Sequence, residues 1–289
     1  MKLLNLDSII IFSRPHGPTI LTVCDDLYFK HFHKEICSSF LKNIKSYKCL
    51  HIHIIDPTDE TLVNAFKLSS PRITISYEKG VFSNMINSVP KFDYEIWTRH
   101  INIDIKKMLF KEFFRDKLFF RKLISFFLKI NLPITLYPPL AWLNKKRFSV
   151  YCACRRFLLP YKLFKNVNSL LVVDIDSILS ADLPLNDFCK KNRSQAIFRK
   201  NSWSKCLAGI VFVHFEKKGK SRFLEMLSVN LLKDFSIGKI YWGLDQVNLD
   251  HLANTSKLFP LEFVSYSFEK NSDINNISFV SFKGDAKWN

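Results

Sequence analysis

Two carboxylates one residue apart, Asp174-Ile175-Asp176, follow directly on the apolar run Ser169-Leu-Leu-Val-Val173. Such an unbroken apolar run reads as a central parallel strand. In an open α/β sheet, ligands bind in the crevice beyond the carboxyl ends of these strands. With Ile175 turned into the core, both carboxylates emerge toward that crevice as hard oxygen donors, the kind that Mg²⁺ or Mn²⁺ takes. A metal held there can hold a diphosphate. The D-x-D pattern is short, however, and an aspartate at a strand end also serves to cap a turn. Its weight comes from the segments that accompany it along the chain.

Those segments are, in order, Thr22-Val-Cys-Asp-Asp-Leu-Tyr28, Cys154-Arg-Arg-Phe-Leu-Leu-Pro160, the D-x-D strand with its continuation Ser177-Ile-Leu-Ser-Ala-Asp-Leu183, Ala208-Gly-Ile-Val-Phe-Val213 followed by Trp242-Gly-Leu-Asp-Gln-Val-Asn-Leu249, and Ser281-Phe-Lys-Gly-Asp-Ala-Lys-Trp288. Together they resemble glycosyltransferase family 8, whose members have the GT-A fold and transfer sugars from nucleotide sugars with retention of anomeric configuration. The resemblance spans most of the chain. It implies that Asp25 and Tyr28 receive the nucleobase and ribose, which suits a carboxylate that accepts the uracil imide N–H and a ring that offers a stacking face. It sets Arg156, rather than Arg155, toward the diphosphate, since a guanidinium forks onto phosphate and adjacent arginines on a helix point in different directions.

By the same resemblance Asp174 and Asp176 hold the metal, and Asp245 and Gln246 border the sugar. Gln is a poor nucleophile, so Gln246 is assigned electrostatic help to an oxocarbenium-like transition state; an Asp-Gln pair opening a helix also suffices as a cap. Gly284 permits a close backbone approach, and Lys287 neutralises the departing diphosphate. Several positions depart from the family pattern. Cys154 stands for Tyr, Leu207 for Asn, Val247 for an acid and Ser281 for a metal-binding His, and no Pro separates Lys287 from Trp288. A hydroxyl is a feeble substitute for imidazole, so the metal falls to Asp174, Asp176 and the substrate phosphates, with Mg²⁺ favoured over Mn²⁺ or with Lys283 replacing part of its charge.

The elements that must position these groups are legible in outline. A strand over Thr19–Cys24 ends at Asp25-Asp26, and apolar residues at helical spacing follow from Tyr28 to Ile44. A second strand covers His51–Ile55, a helix capped by Pro57-Thr-Asp-Glu60 runs to Leu68, and a short strand spans Ile73–Tyr77. His31, His33, His51 and His53 have no carboxylates at matching positions and are read as strand or helix-surface side chains. The Phe-, Lys- and Arg-rich stretch Lys106–Ile130 reads as a helix suited equally to packing on the domain and to an anionic membrane surface. Pro133, Pro138 and Pro139 close it, and a helical pattern resumes over Tyr151–Phe164. The expectation is an α/β chain with a Rossmann-like, mixed but mostly parallel sheet flanked by helices. It forms a single GT-A domain over residues 1–289, its nucleotide-binding half about 1–176 and its sugar and acceptor half about 177–289.

The net charge of +17 and pI near 9.5 call for an anionic partner. Zinc-finger spacing, an RNA-recognition strand signature and a basic tail are all lacking in the sequence, which argues against nucleic acid. Seven scattered cysteines without a C-x-x-C pair fit a reducing cytoplasm. The start MKLLNLDSIIIFSRP lacks a cleavage site, and charge interrupts every long apolar stretch, so neither export nor a membrane span is expected. The function implied is metal-dependent transfer of a hexose from a UDP-sugar to a hydroxyl of a glycan or lipid-linked acceptor. Two rivals stand beside it: an inactive nucleotide-sugar-binding relative, suggested by Ser281, Leu207 and Val247, and a nucleotidyltransferase, which needs a Gly-rich phosphate loop that Gly17 alone does not make.

Overall fold

Strand β1 (Ile10–Ile11) opens the chain of the computed structural model, which describes residues 9–83, 140–159, 163–179, 182, 195–199, 206–237, 243–255, 261–265 and 280–281. The apolar run after Pro18 forms β2 (His16–Asp25), and Asp25 ends it by accepting the Tyr28 N–H at 2.9 Å, the N-cap of α1 (Asp26–Asn43). Strand β3 (Cys49–Ile55) follows. Thr58 caps α2 (Asp59–Leu68), whose first turn carries Asp59 and Glu60 and whose last carries Lys67, each matched to the helix dipole. Strand β4 (Ile73–Glu78) completes a β-α-β-α-β opening as expected.

Helix α3 (Leu140–Arg155) begins directly after Pro138-Pro139 and leads to β5 (Asn166–Val173), β6 (Ser177–Ile178), β7 (Gln195–Arg199) and β8 (Cys206–His214). Helices α4 (Arg222–Ser236) and α5 (Leu244–Thr255) and strands β9 (Leu261–Ser265) and β10 (Val280–Ser281) complete the described elements. The helix expected over 151–164 ends at Arg155. There the Phe157 and Leu158 N–H groups turn back to the Cys154 and Arg155 carbonyls, and the Arg155 guanidinium takes the Leu158 carbonyl at 2.9 Å. These tight bonds and side-chain capping close the helix before Pro160. The expected Phe-rich helix over 106–130 lies outside the described residues.

The strands form one eight-stranded sheet in the order β1-β4-β3-β2-β5-β8-β7-β9. Four of its pairings are parallel (β3 with β4, β2 with β3, β2 with β5, β7 with β9), and β1, β8 and their neighbours supply the antiparallel ones. Strands from before and after Asp176 therefore share a single sheet. Helices α1 and α2 cover one face, which presents Ile20, Ile52, Ile54, Leu171 and Phe212, and α3, α4 and α5 cover the other, which presents Leu21, Val172, Val211 and Val213. This is the mixed, mostly parallel, helix-flanked α/β architecture that the sequence implies.

One stripe of the second face is polar and fully enclosed. His51 and His53 point from β3 onto Thr74, Ser76 and Glu78 of β4, with bonds of 2.9 Å to Thr74, 2.8 Å from each histidine to Ser76, and 3.3 Å from His53 to Glu78. Every polar group in the row thus has a partner, as burial demands. Burial holds both histidines below the ordinary imidazole range; in His51 the neighbouring His53 adds to it, and in His53 Arg155 does.

Candidate functional site at the carboxyl end of β5

Asp174 is the first residue beyond β5, and Asp25 is the last of β2, so the two acids leave neighbouring parallel strands at the same end of the sheet. Asp174 keeps 28% of its side chain exposed. Ile175 turns into the core as expected, but Asp176 is only 3% exposed, so the two carboxylates do not open equally on the crevice. The chain bends back after Asp176 because Ser177 and Ile178 enter β6 rather than extend β5.

Arg156 joins the site from the turn after α3. One terminal nitrogen donates to Asp174 Oδ1 and the other to Asp245 Oδ2 at 2.6 Å, with both ends of the Asp245 bond buried. Burial works against the charged guanidinium, but Asp174 and then Asp245 outweigh it and hold its pKa above the usual arginine value. Arg156, the arginine that the resemblance sets toward the diphosphate, thus lies between Asp174 and Asp245. Both terminal nitrogens, however, hold carboxylates. Arg155 points the opposite way, 1% exposed, and is clamped to Glu78.

Asp245 sits in the first turn of α5, where its Oδ1 accepts the Gln246 N–H at 2.9 Å. Gly243 takes φ +83°, a left-handed turn that suits glycine, and its carbonyl accepts the Val247 N–H as the helix begins. Asn248 braces the same turn, donating to Asp234 of α4 at 2.8 Å and to the Leu244 carbonyl at 3.0 Å. Gln246 is half-buried at the next position. Cys154, where the family pattern has Tyr, is buried with its thiol against the Asp245 backbone.

Asp25 and Tyr28 lie at the start of α1. Asp25 caps the helix, and the half-buried Tyr28 ring sits 5.7 Å from that of Phe32. Asp26 turns away to receive the Thr58 N–H at 2.7 Å and pairs with Lys30. Burial opposes the resulting shift, yet Thr58, Thr61 and Lys30 bring its carboxyl down to about 2. Lys287, Gly284 and Lys283 lie outside the described residues. The strand that precedes them does not: β10 pairs with β6 so that Ser281 stands opposite Ser177, which follows Asp176 in the chain. The backbone of Ser281, the first residue of the C-terminal motif, is therefore brought beside the D-x-D motif.

Gly209 belongs to the Ala208–Val213 segment of the resemblance, but the motif assigns it no role of its own. It lies on β8, antiparallel to β5, with its carbonyl accepting the Asp174 N–H at 3.1 Å, and a β-carbon there would meet Asp174 Oδ2 at 2.4 Å. A glycine inside a strand pattern signals such a close approach. Among the described residues no helix is long and apolar enough to cross a membrane. Likewise, no group of three or more His, Cys, Asp and Glu side chains among them converges as a metal site.

No protein-family model matches the sequence, and neither does any curated protein. Among solved structures, the chain is similar to mouse xyloside xylosyltransferase 1 in its apo form, at 9% identity and a TM-score of 0.42, over 86% of this chain and 85% of that one. It is also similar to the apo WbbM bifunctional glycosyltransferase, at 12% identity and a TM-score of 0.44, over 88% of this chain. The chain spans 39% of the WbbM chain's length.

Proposed function

We propose that the chain is a metal-dependent glycosyltransferase of the GT-A type, which moves a hexose from a UDP-sugar to a hydroxyl of a glycan or lipid-linked acceptor with retention of configuration. The observation that carries this reading is the convergence of Asp174, Arg156 and Asp245 beyond the carboxyl end of β5, where open α/β sheets take their ligands. They come from three segments that separately resemble family 8 motifs. In this reading the part of the chain through Asp176 receives the nucleotide at Asp25 and Tyr28, and the later part shapes the sugar and acceptor pocket around Asp245 and Gln246.

The residues present fit a hard divalent cation through the chemistry of the donor set. Two carboxylates around one guanidinium leave a surplus negative charge, with Asp176 close by in the chain. The oxygens of a diphosphate would complete the shell, as Mg²⁺ sites with few protein ligands commonly have it. A cation bound there supplies Lewis-acid neutralisation of the diphosphate. The chain's own part is to fix Asp174 through Arg156, to keep Asp245 and Gln246 at the sugar, and to meet the departing diphosphate with Lys287. In the transfer the bond from the anomeric carbon to the diphosphate oxygen breaks, its electron pair leaves with the diphosphate, and the acceptor hydroxyl bonds the same face as its proton passes to the departing diphosphate oxygen.

Calorimetric titration of the full chain with UDP, with and without Mn²⁺ or Mg²⁺, tests the reading, with Asp174→Asn alongside. Binding that needs both metal and Asp174 is the expected result, followed by metal-dependent release of UDP from a UDP-hexose. Metal-independent binding would transfer the phosphate to lysines such as Lys283 and Lys287. The absence of any binding would remove the reading.

A further inference from the structure

Two adjacent arginines leave the end of α3 in opposite directions, and only one of them reaches Asp174 and Asp245. Arg155 makes a two-pronged contact with Glu78, from Nε to Oε1 at 2.8 Å and from Nη2 to Oε2 at 2.7 Å, while its Nη1 takes the Leu158 carbonyl that ends the helix. Glu78 also receives the Tyr151 hydroxyl at 3.3 Å, one turn earlier on α3, and faces His53 of β3. The last turn of α3 is thus pinned to the end of β4 at two positions, 151 and 155. Residue 156 is the next in the chain, and its guanidinium must span Asp174 and Asp245.

A buried ion pair of this kind is a weak source of net stability, because desolvating both charges offsets most of their attraction, and apolar residues of like volume commonly do as well. Such a pair does fix geometry. The fork of Arg155 accepts one orientation of the Glu78 carboxylate, and that orientation sets where α3 stops and how the 155–156 peptide leaves it. We infer that Glu78, acting through Arg155, is a positioning residue for Arg156 and so for the Asp174–Arg156–Asp245 cluster. The inference deepens the transferase reading and, for its effect on nucleotide binding, rests on it.

The test uses the full chain with ¹⁵N-labelled arginine. The Arg156 side-chain N–H signal, assigned by its loss in Arg156→Lys, is followed in Glu78→Gln, and UDP titrations with Mn²⁺ are run on Glu78→Gln, Arg156→Ala and the double variant well below their unfolding temperatures. The expected result is a displaced Arg156 signal, a Kd about tenfold weaker in Glu78→Gln, and no further loss when that change is added to Arg156→Ala. An unmoved Arg156 signal, or losses that simply add, overturns the inference, even if the melting temperature falls. Should Glu78→Gln fail to fold, Arg155→Lys, which keeps the charge and loses the fork, takes its place. If the wild-type chain binds no UDP, the transferase reading fails, while the arginine signal still decides the positioning role.

Discussion

Gly209 and Asp174 face each other across β8 and β5 so closely that a β-carbon at 209 would fall 2.4 Å from Asp174 Oδ2 and 3.2 Å from its Cγ. The conflict is with the end of a short side chain rather than with backbone, so in Gly209→Ala the carboxylate rotates and the sheet survives. We predict a stability change of about 1 kcal/mol, within the ordinary range for a point substitution. Metal-dependent UDP binding should weaken by about tenfold or more, because the carboxylate leaves Arg156. Thermal unfolding and calorimetry on the same sample check the two halves. A variant that binds as well as the wild type would free Asp174 of any role in the site.

Arg156 is the common cation of Asp174 and Asp245, and its replacement by Met leaves both carboxylates without it. Removing one partner of a buried pair costs about 3–5 kcal/mol. Arg156→Met should therefore lose stability on that scale in urea unfolding, and Asp245→Asn in the same background should recover part of it by removing the uncompensated charge. Equal stability of Arg156→Met and the wild type would show that the three groups do not depend on one another.

The enclosed row of His51, Ser76, His53, Glu78, Arg155 and Tyr151 predicts the direction of acid destabilisation. Burial acts to raise the Glu78 carboxyl, yet His53 and Arg155 bring it down to about 2. Its folded value lies below its unfolded one, so its contribution is complete above about pH 4.5 and is lost as pH falls toward 2, about 3 kcal/mol over that window. The two histidines, held below the ordinary range, bind their protons more readily in the unfolded chain. Stability should therefore begin to fall as pH drops through about 6.5. Urea unfolding from pH 7.5 to 5 measures the slope, which His51→Gln should flatten. A stability that rises on acidification would contradict the row's protonation.

The same row shows what the sequence could and could not disclose. The alternation of His51 and His53 with Leu50, Ile52 and Ile54 marks a strand, but whether its polar side is wet depends on the register with β4, which sets His51 opposite Thr74 and His53 opposite Ser76. Strand β5 with its aspartates was legible because a long apolar run ending in acids has few other structural uses. Strands β7 and β9 were not, since each is five residues long and carries charged or polar residues such as Arg199 and Glu262. At α3 the spacing put a helix through Phe164. The contacts of Arg155, a local one with Leu158 and a tertiary one with Glu78, determine where it ends and hence which arginine reaches Asp174.

Ser281 offers a test of the metal itself. Its strand β10 runs antiparallel to β6, with position 281 opposite 177, so the backbone places residue 281 beside the residue that follows Asp176. The motif it resembles has a metal-binding His there. Imidazole is a far better ligand than a hydroxyl for Mn²⁺, whereas Mg²⁺ keeps to oxygen donors. If the cation is held by Asp174 and Asp176, Ser281→His should tighten UDP binding roughly tenfold in Mn²⁺ and leave it unchanged in Mg²⁺ or in chelator. Parallel titrations under the three conditions give the answer. A gain that persists in chelator would mean that the imidazole bonds the phosphate directly, and no gain at all would move the cation away from β10.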